Sequence, residues 1–240
     1  MERESTFTTP YPLVLASASP RRRELFALLG LPFRAVATRV EEGVRKGEAP
    51  AEVVARLAWA KAKAAAAGHP TALVVGCDTV VALGEEVLGK PADAEAARAM
   101  LRRLRGRAHA VYTGVAVVGG GRRAVRVART TVWMREYGDE EIDAYVASGD
   151  PLDKAGAYAI QHAGFRPVAS WEGCYANVVG LPLCHLVRVL RSWDVHPAAD
   201  VPAACQRHTG RRCRVFHSIS TLHPSDETSD HPTVCRPPTG

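Results

Sequence analysis

Residues 17–23 read Ser-Ala-Ser-Pro-Arg-Arg-Arg and follow the apolar run Leu13–Ala16. A short apolar run of this kind reads as a buried strand, and Ser19-Pro20 reads as an N-cap followed by proline at the first helical position. Unpaired backbone N–H groups at a helix start favour an anion, and the helix dipole adds to that preference. Ser17 and Ser19 add hydroxyl donors, while Arg21 and Arg22 offer forked donors that suit phosphate oxygens. The plainer alternative is a capped helix with a solvated basic turn. Cations there oppose the dipole, however, and a bound anion would remove that conflict. The loop is not a Walker A loop, since G-x-x-x-x-G-K-[ST] is missing.

Asp78 sits inside Val74-Val75-Gly76-Cys77-Asp78-Thr79-Val80-Val81. A carboxylate is costly to bury in an apolar run. At a strand end it could face a cleft, hold a metal or orient a water; the alternative is a turn aspartate between two strands. Lys61 and Lys63 lie on an Ala-rich stretch, and Lys90 is fixed between Gly89 and Pro91. Glu41 and Glu42 are candidate metal ligands. In Asp153-Lys154-Ala155-Gly156-Ala157-Tyr158-Ala159-Ile160-Gln161, small residues surround an ion-pair candidate, and the Gln161 amide could read a base edge. Asn177–Leu183 carries Gly-x-Pro ahead of an apolar helix, which by itself implies no chemistry.

The elements that would position these groups alternate between strand and helix. Strands are expected at Leu13–Ala16, Phe33–Thr38, Ala72–Val75, Val80–Leu83, Glu86–Leu88, Ala110–Val118 and Ala124–Met134. Gly119-Gly120-Gly121 marks a hairpin between the last two. Helices are expected after Pro20, over Pro50–Ala67, Ala94–Leu104 and Asp139–Ala147, and finally over Leu181–Trp193. After Val195 the composition changes. The last 45 residues hold six of the 16 prolines, five of the nine histidines and three of the six cysteines, with no sustained period. They read as a disordered or loosely attached tail.

The 240 residues are 47% hydrophobic but only 6% aromatic, so a core must be built from Ala, Val and Leu. The formal charge of +6 suits a small polyanion, and no dense basic stripe with interleaved aromatics argues for nucleic acid. No Cys-x-x-Cys pair is present, which argues against a zinc ribbon, and the scattered cysteines read as reduced thiols of a cytoplasmic protein. Residues 1–9 have no apolar core of a signal peptide, and no apolar run reaches membrane-span length.

Taken in order, eight segments resemble the Maf family of nucleotide pyrophosphatases along residues 13–193. They are Ser17–Arg22, Val40-Glu41-Glu42, Arg56-Leu57-Ala58 with Lys61-Ala62, Asp78-Thr79-Val80, Gly89-Lys90-Pro91, Thr113-Gly114, Asp153–Gly156 and Gly180–Leu183. The resemblance implies an α/β fold, Maf/ITPase-like, in which an elongated mixed β-sheet is flanked by helices and two lobes surround a cleft. It implies an N-terminal extension at 1–12, a catalytic domain at 13–195 and a tail at 196–240. It implies hydrolysis of a nucleoside triphosphate to the monophosphate and pyrophosphate with Mg²⁺ or Mn²⁺, and a homodimer. By resemblance, Asp78 is the proton acceptor, and Glu42 and Asp78 hold the metal. The phosphate-binding positions are Ser17, Arg21, Arg22, Lys61 and Lys90. The family's more usual Asp-Glu pair is Glu41-Glu42 here. The dTTP/UTP branch carries the types found at Arg21, Thr79 and Gln161, whereas the methyl-GTP branch differs at the last two. The competing expectation is a nucleotide- or nucleic-acid-binding regulator of cell division with little catalysis. An acidic base beside a polyphosphate speaks against it, because a pure binder gains nothing from that repulsion.

Overall fold

The apolar runs become strands of one seven-stranded sheet in the computed structural model, which describes residues 11–221. The strands are β1 (Leu13–Ala16), β2 (Phe33–Val36), β3 (Leu73–Leu83), β4 (Glu86–Leu88), β5 (Ala108–Gly119), β6 (Arg122–Met134) and β7 (Val168–Glu172). Their order is β2-β1-β3-β5-β6-β7, with β4 on β3. β1 runs parallel to β2 and β3, and every other pairing is antiparallel. Gly120 and Gly121, at φ 57° and 74°, close the β5–β6 hairpin with the two positive-φ residues that a tight turn with the sheet's own twist requires.

The helices are α1 (Pro20–Ala27), α2 (Pro50–Ala66), α3 (Ala94–Leu104), α4 (Asp139–Ala147), α5 (Tyr175–Val179), α6 (Leu183–Ser192), α7 (Val201–Thr209) and α8 (Phe216–Thr221). Strand alternation assigns them to faces. Leu13, Leu15, Leu73 and Val75 share a core with Leu25 and Phe26 of α1 and with Leu186 and Leu190 of α6. Val14 and Val74 point the other way and meet Ala65 of α2. A second core joins Val81, Val111 and Val132 to Leu101 and Leu104 of α3 and Ile142 and Tyr145 of α4. The two lobes are thus the two ends of the long strands β3, β5 and β6.

Between those ends, the sheet is interrupted on one side of β3. β5 pairs with β3 without a break from Val74 to Ala82. On the opposite edge, β1 stops at Gly76 and β4 begins at Val81. Residues 77–80 therefore keep one edge free of strand pairing, and Asp78 lies inside a continuous strand. It is neither a strand end nor a turn residue, as its sequence neighbourhood had suggested. The carboxylate is accommodated there because a helix brings a cation to it, as described below.

The helix is α2, and it lies very close to the sheet. A Cβ built on Gly76 would fall 2.3 Å from the Ala58 carbonyl oxygen, and one on Gly114 would fall 2.2 Å from that of Val54. Ala58, Ala62 and Ala116 fill the rest of the contact. Small residues on both partners let the backbones approach.

The segment after Val195 departs from expectation. α7 and α8 are ordered helices, and Val201, Val215 and Ile219 are buried in the first core at 2%, 4% and 1% exposure. The backbone N–H groups of Ala198 and Ala199 donate to the Leu29 carbonyl just past α1, and the Arg211 guanidinium lies 5.6 Å over the Trp171 ring. The disordered-tail reading is therefore corrected for residues 196–219: a few buried anchors hold helices too short to show a period. Residues 1–10 and 222–240 of the expected termini lie outside the described residues.

Two substitutions test this packing by urea unfolding. Gly114→Ala is expected to cost about 3 kcal/mol, because the methyl meets helix backbone that cannot move aside. Ile219→Ala is expected to cost about 2–4 kcal/mol as a core truncation; a cost near zero would mean that α8 is not docked.

Candidate active site

The unpaired stretch of β3 opens into a cleft of about 570 Å³, at the carboxyl end of β1 where the chain crosses from one sheet face to the other. Open α/β sheets bind ligands at such switch points, and the volume suits a nucleotide-sized ligand. Ser17, Arg21, Arg22, Glu42, Lys61, Asp78, Thr79, Lys90 and Gln161 all line it. These nine residues, all pointed to by the sequence, are thus brought to one cleft, whereas Lys63 is exposed outside it. Glu41 is exposed and is not part of the lining.

The β1–α1 loop forms one wall. Ser19 caps α1, its Oγ accepting from the Arg22 N–H at 3.4 Å, and Pro20 begins the helix. Ser17 Oγ accepts from the Ser19 N–H at 3.2 Å. The first turn of α1 carries no acidic residue, so its dipole is left uncompensated beside three arginines. Arg22 is anchored by its backbone-facing donors: Nε donates to the Gly180 carbonyl at 2.9 Å, Nη1 to that of Cys77 at 3.0 Å and Nη2 to Thr79 Oγ at 3.0 Å. The Cys77 bond fills part of the free edge of β3. Two of its five N–H groups remain for a ligand. Arg21 pairs with Asp153 at 3.3 Å, and Asp153 also binds buried Lys154 at 2.7 Å. This chain of charges ties α1 to the opposite lobe.

Asp78 and Thr79 are adjacent on a strand and point to opposite faces. Asp78 faces α2, where Lys61 Nζ donates to its Oδ1 at 2.6 Å. The same ammonium lies 2.6 Å from Glu42 Oε1. Lys61 and Asp78 are both buried, while the Glu42 side chain is half exposed. Burial would raise the Glu42 carboxyl, but the Lys61 hydrogen bond and the charges of Lys61, Lys90 and Arg22 outweigh it and hold the group below its ordinary 4.5. The loop bearing Glu42 is itself pinned to α2: Arg56 grips Glu48 with two bonds of 2.5 and 2.6 Å and donates to the Gly43 carbonyl at 2.9 Å. Lys90 stands at the cleft edge, exposed and without an ion pair among the described residues.

Thr79 faces the other way, into a buried polar layer between the two cores. Thr113 Oγ donates to the Asn177 carbonyl at 3.0 Å, so its one proton is used. Thr79, 2.9 Å away, must then donate to Thr113 while accepting from Arg22. Asn177, fully buried, donates to the Val111 carbonyl at 3.1 Å and to Thr130 Oγ at 2.9 Å. This network fixes α5 and so the Val178–Gly180 wall. Sequence reading treated Asn177 as part of a helix start, and the one signal available was an amide inside a wholly apolar stretch. Arg56 was legible only as part of a motif. Beneath Tyr158, which lines the cleft, buried His109 bonds its hydroxyl at 2.7 Å.

The resulting site defines an α/β protein whose cleft sets cations and helix-start amides on one side and two carboxylates around a lysine on the other, an arrangement suited to a polyanion. The chain belongs to the Maf-like protein family, whose model matches residues 12–193. It is 54% identical over 185 residues to a dTTP/UTP pyrophosphatase of Moorella thermoacetica, covering 76% of this chain and 95% of that protein. A dTTP/UTP pyrophosphatase of Pelotomaculum thermopropionicum is 49% identical over 75% of this chain and 96% of its own length. One from Myxococcus xanthus is 54% identical over 74% and 90%. Among the described residues no helix is long and apolar enough to cross a membrane.

Burial pushes His109 and His185 down to about 4, with Arg188 and Arg126 adding to the effect at His185. Both are neutral in the fold, whereas the unfolded chain takes up protons below about 6.5. Stability present above that pH is therefore lost as pH falls toward 4, on the order of 2–3 kcal/mol for each histidine. Unfolding free energies measured from pH 7 to 4 should show this slope, and His109→Gln should remove one histidine's share of it while that of His185 remains.

Proposed function

We propose that this protein is a cytoplasmic nucleoside triphosphate pyrophosphatase that hydrolyses dTTP and UTP to the monophosphate and pyrophosphate. The observation that carries the reading is the position of Asp78: a buried carboxylate on the strand-unpaired stretch of β3, lining the same nucleotide-sized cleft as the cationic β1–α1 wall. The names borne by relatives sharing about half of its residues support the choice of substrate.

In this reading the triphosphate lies along the start of α1. The N–H groups of Ala18 and Arg21 have no partner among the described residues, and together with Arg21, the free donors of Arg22 and Lys90 they would grip its oxygens. Asp78 Oδ1 is held by Lys61, which leaves Oδ2 to orient a water toward the α-phosphorus and take its proton. Bond formation from that water breaks the bond to the bridging oxygen, and pyrophosphate leaves. The cationic wall stabilises the negative charge that builds on the phosphoryl oxygens. Gln161, Thr79 and Arg21 also line the cleft and would read the base.

Asp78 and Glu42 fit a hard divalent cation. Mg²⁺ and Mn²⁺ are commonly held by one or two carboxylates with phosphate oxygens and waters completing the shell, and these two carboxylates converge on one cationic point. No three His, Cys, Asp or Glu side chains are set to hold a metal among the described residues, so the phosphates would have to supply ligands. When bound, the ion would neutralise phosphate charge and polarise the attacked centre.

Pyrophosphate release from a panel of nucleotides, with and without Mg²⁺, tests the reading. Asp78→Asn should lower kcat by about 10²–10⁴ with nucleotide binding retained. Near-normal turnover in that variant would remove Asp78 as the base, and no release from any nucleotide would favour the binding regulator.

A further inference from the structure

We propose that Lys61 stands in for the metal in the nucleotide-free protein, so that the divalent cation enters together with the nucleotide and not before it. The inference rests on the metal-dependent reading above and deepens it. Its basis is where the ammonium sits. Lys61 Nζ is 2.6 Å from Asp78 Oδ1 and 2.6 Å from Glu42 Oε1, the two oxygens that would also serve a divalent ion. One point between two carboxylates cannot hold both an ammonium and a metal.

The surroundings decide which cation wins. Without nucleotide, the charges of Lys61, Lys90 and Arg22 all act on Glu42, and an arriving dication meets three cations around two carboxylates. Lys61 is only 8% exposed, so this repulsion is weakly screened by water. Nucleotide triphosphate reverses the balance by bringing several negative charges. The lysine has a flexible four-carbon stem with three rotatable donors, so its ammonium can turn from the carboxylates to a phosphate. The vacated oxygens then meet the cation that accompanies the nucleotide. Lys61 would thus change partners within one catalytic cycle, and the free enzyme would carry no strong metal site in which a wrong cation could lodge.

The fixed geometry of α2 makes this specific to position 61. Lys63, two residues on, is exposed; of the other lysines in the lining, Lys90 is exposed and Lys154 is held by Asp150 and Asp153.

The test measures Mn²⁺ binding by the electron paramagnetic resonance of the free ion. It uses the full-length protein, the variants Lys61→Met and Lys61→Gln, and a non-hydrolysable dTTP analogue. Wild type should bind Mn²⁺ at least tenfold more tightly with the analogue than without it. Both variants should bind Mn²⁺ without nucleotide at least tenfold more tightly than wild type. If wild type takes up Mn²⁺ with the analogue but both folded variants bind it no tighter than wild type in the absence of nucleotide, Lys61 is no competitor and the inference fails alone. If wild type takes up no Mn²⁺ even with the analogue, the metal-dependent reading fails and the inference with it.

Discussion

The cleft depends on how closely α2 lies on the sheet. The contact at Gly76 and Gly114 leaves no room for a Cβ on either residue. That proximity lets one lysine cover a carboxylate in the middle of a strand. Burying Asp78 alone would be prohibitive, and burying Lys61 alone nearly so. Each is tolerated because the other arrives at 2.6 Å. Arg56, on the same helix, holds the loop that brings Glu42 to the same point. Helix packing and site chemistry are therefore one arrangement, since a shift of α2 away from the sheet would part all three groups.

The second constraint is the unpaired edge of β3. Had β1 been four residues longer, its backbone would occupy the space where Arg22 now bonds Cys77 and where the cleft opens. The two apolar cores meet that region from either end and leave a polar layer of Thr79, Thr113 and Asn177 between them. A continuous apolar core would have been easier to build. The layer instead fixes Thr79 and the Gly180 wall by directed bonds, and so gives the cleft a defined shape.

Much of this was legible in the sequence. Ser19 and Pro20 announced α1, and the conflict between its dipole and its arginines pointed to an anion. Most residues singled out for chemistry share one cleft, Glu41 and Lys63 excepted. What failed had physical causes. Asp78 looked like a strand end because its compensating partner lies seventeen residues earlier, on another element. β7 escaped notice because most of its residues are exposed and it lacks alternation. The helices after Val195 were missed because six to nine residues allow only one or two buried anchors each. Asn177 could not be separated from helix-start grammar, since its role exists only once β5, β6 and α5 are assembled.

The opposite orientation of Asp78 and Thr79 on β3 has a bearing on how such a chain can change over time. Their roles are separated by the thickness of a sheet, and they are assigned by parity alone. A single inserted or deleted residue ahead of them in β3 would exchange their faces, turning the hydroxyl toward Lys61 and the carboxylate toward Thr113. No point substitution nearby could restore both. Length variation among descendants of this chain should therefore be tolerated in the turn at Gly84 and purged from residues 73–79.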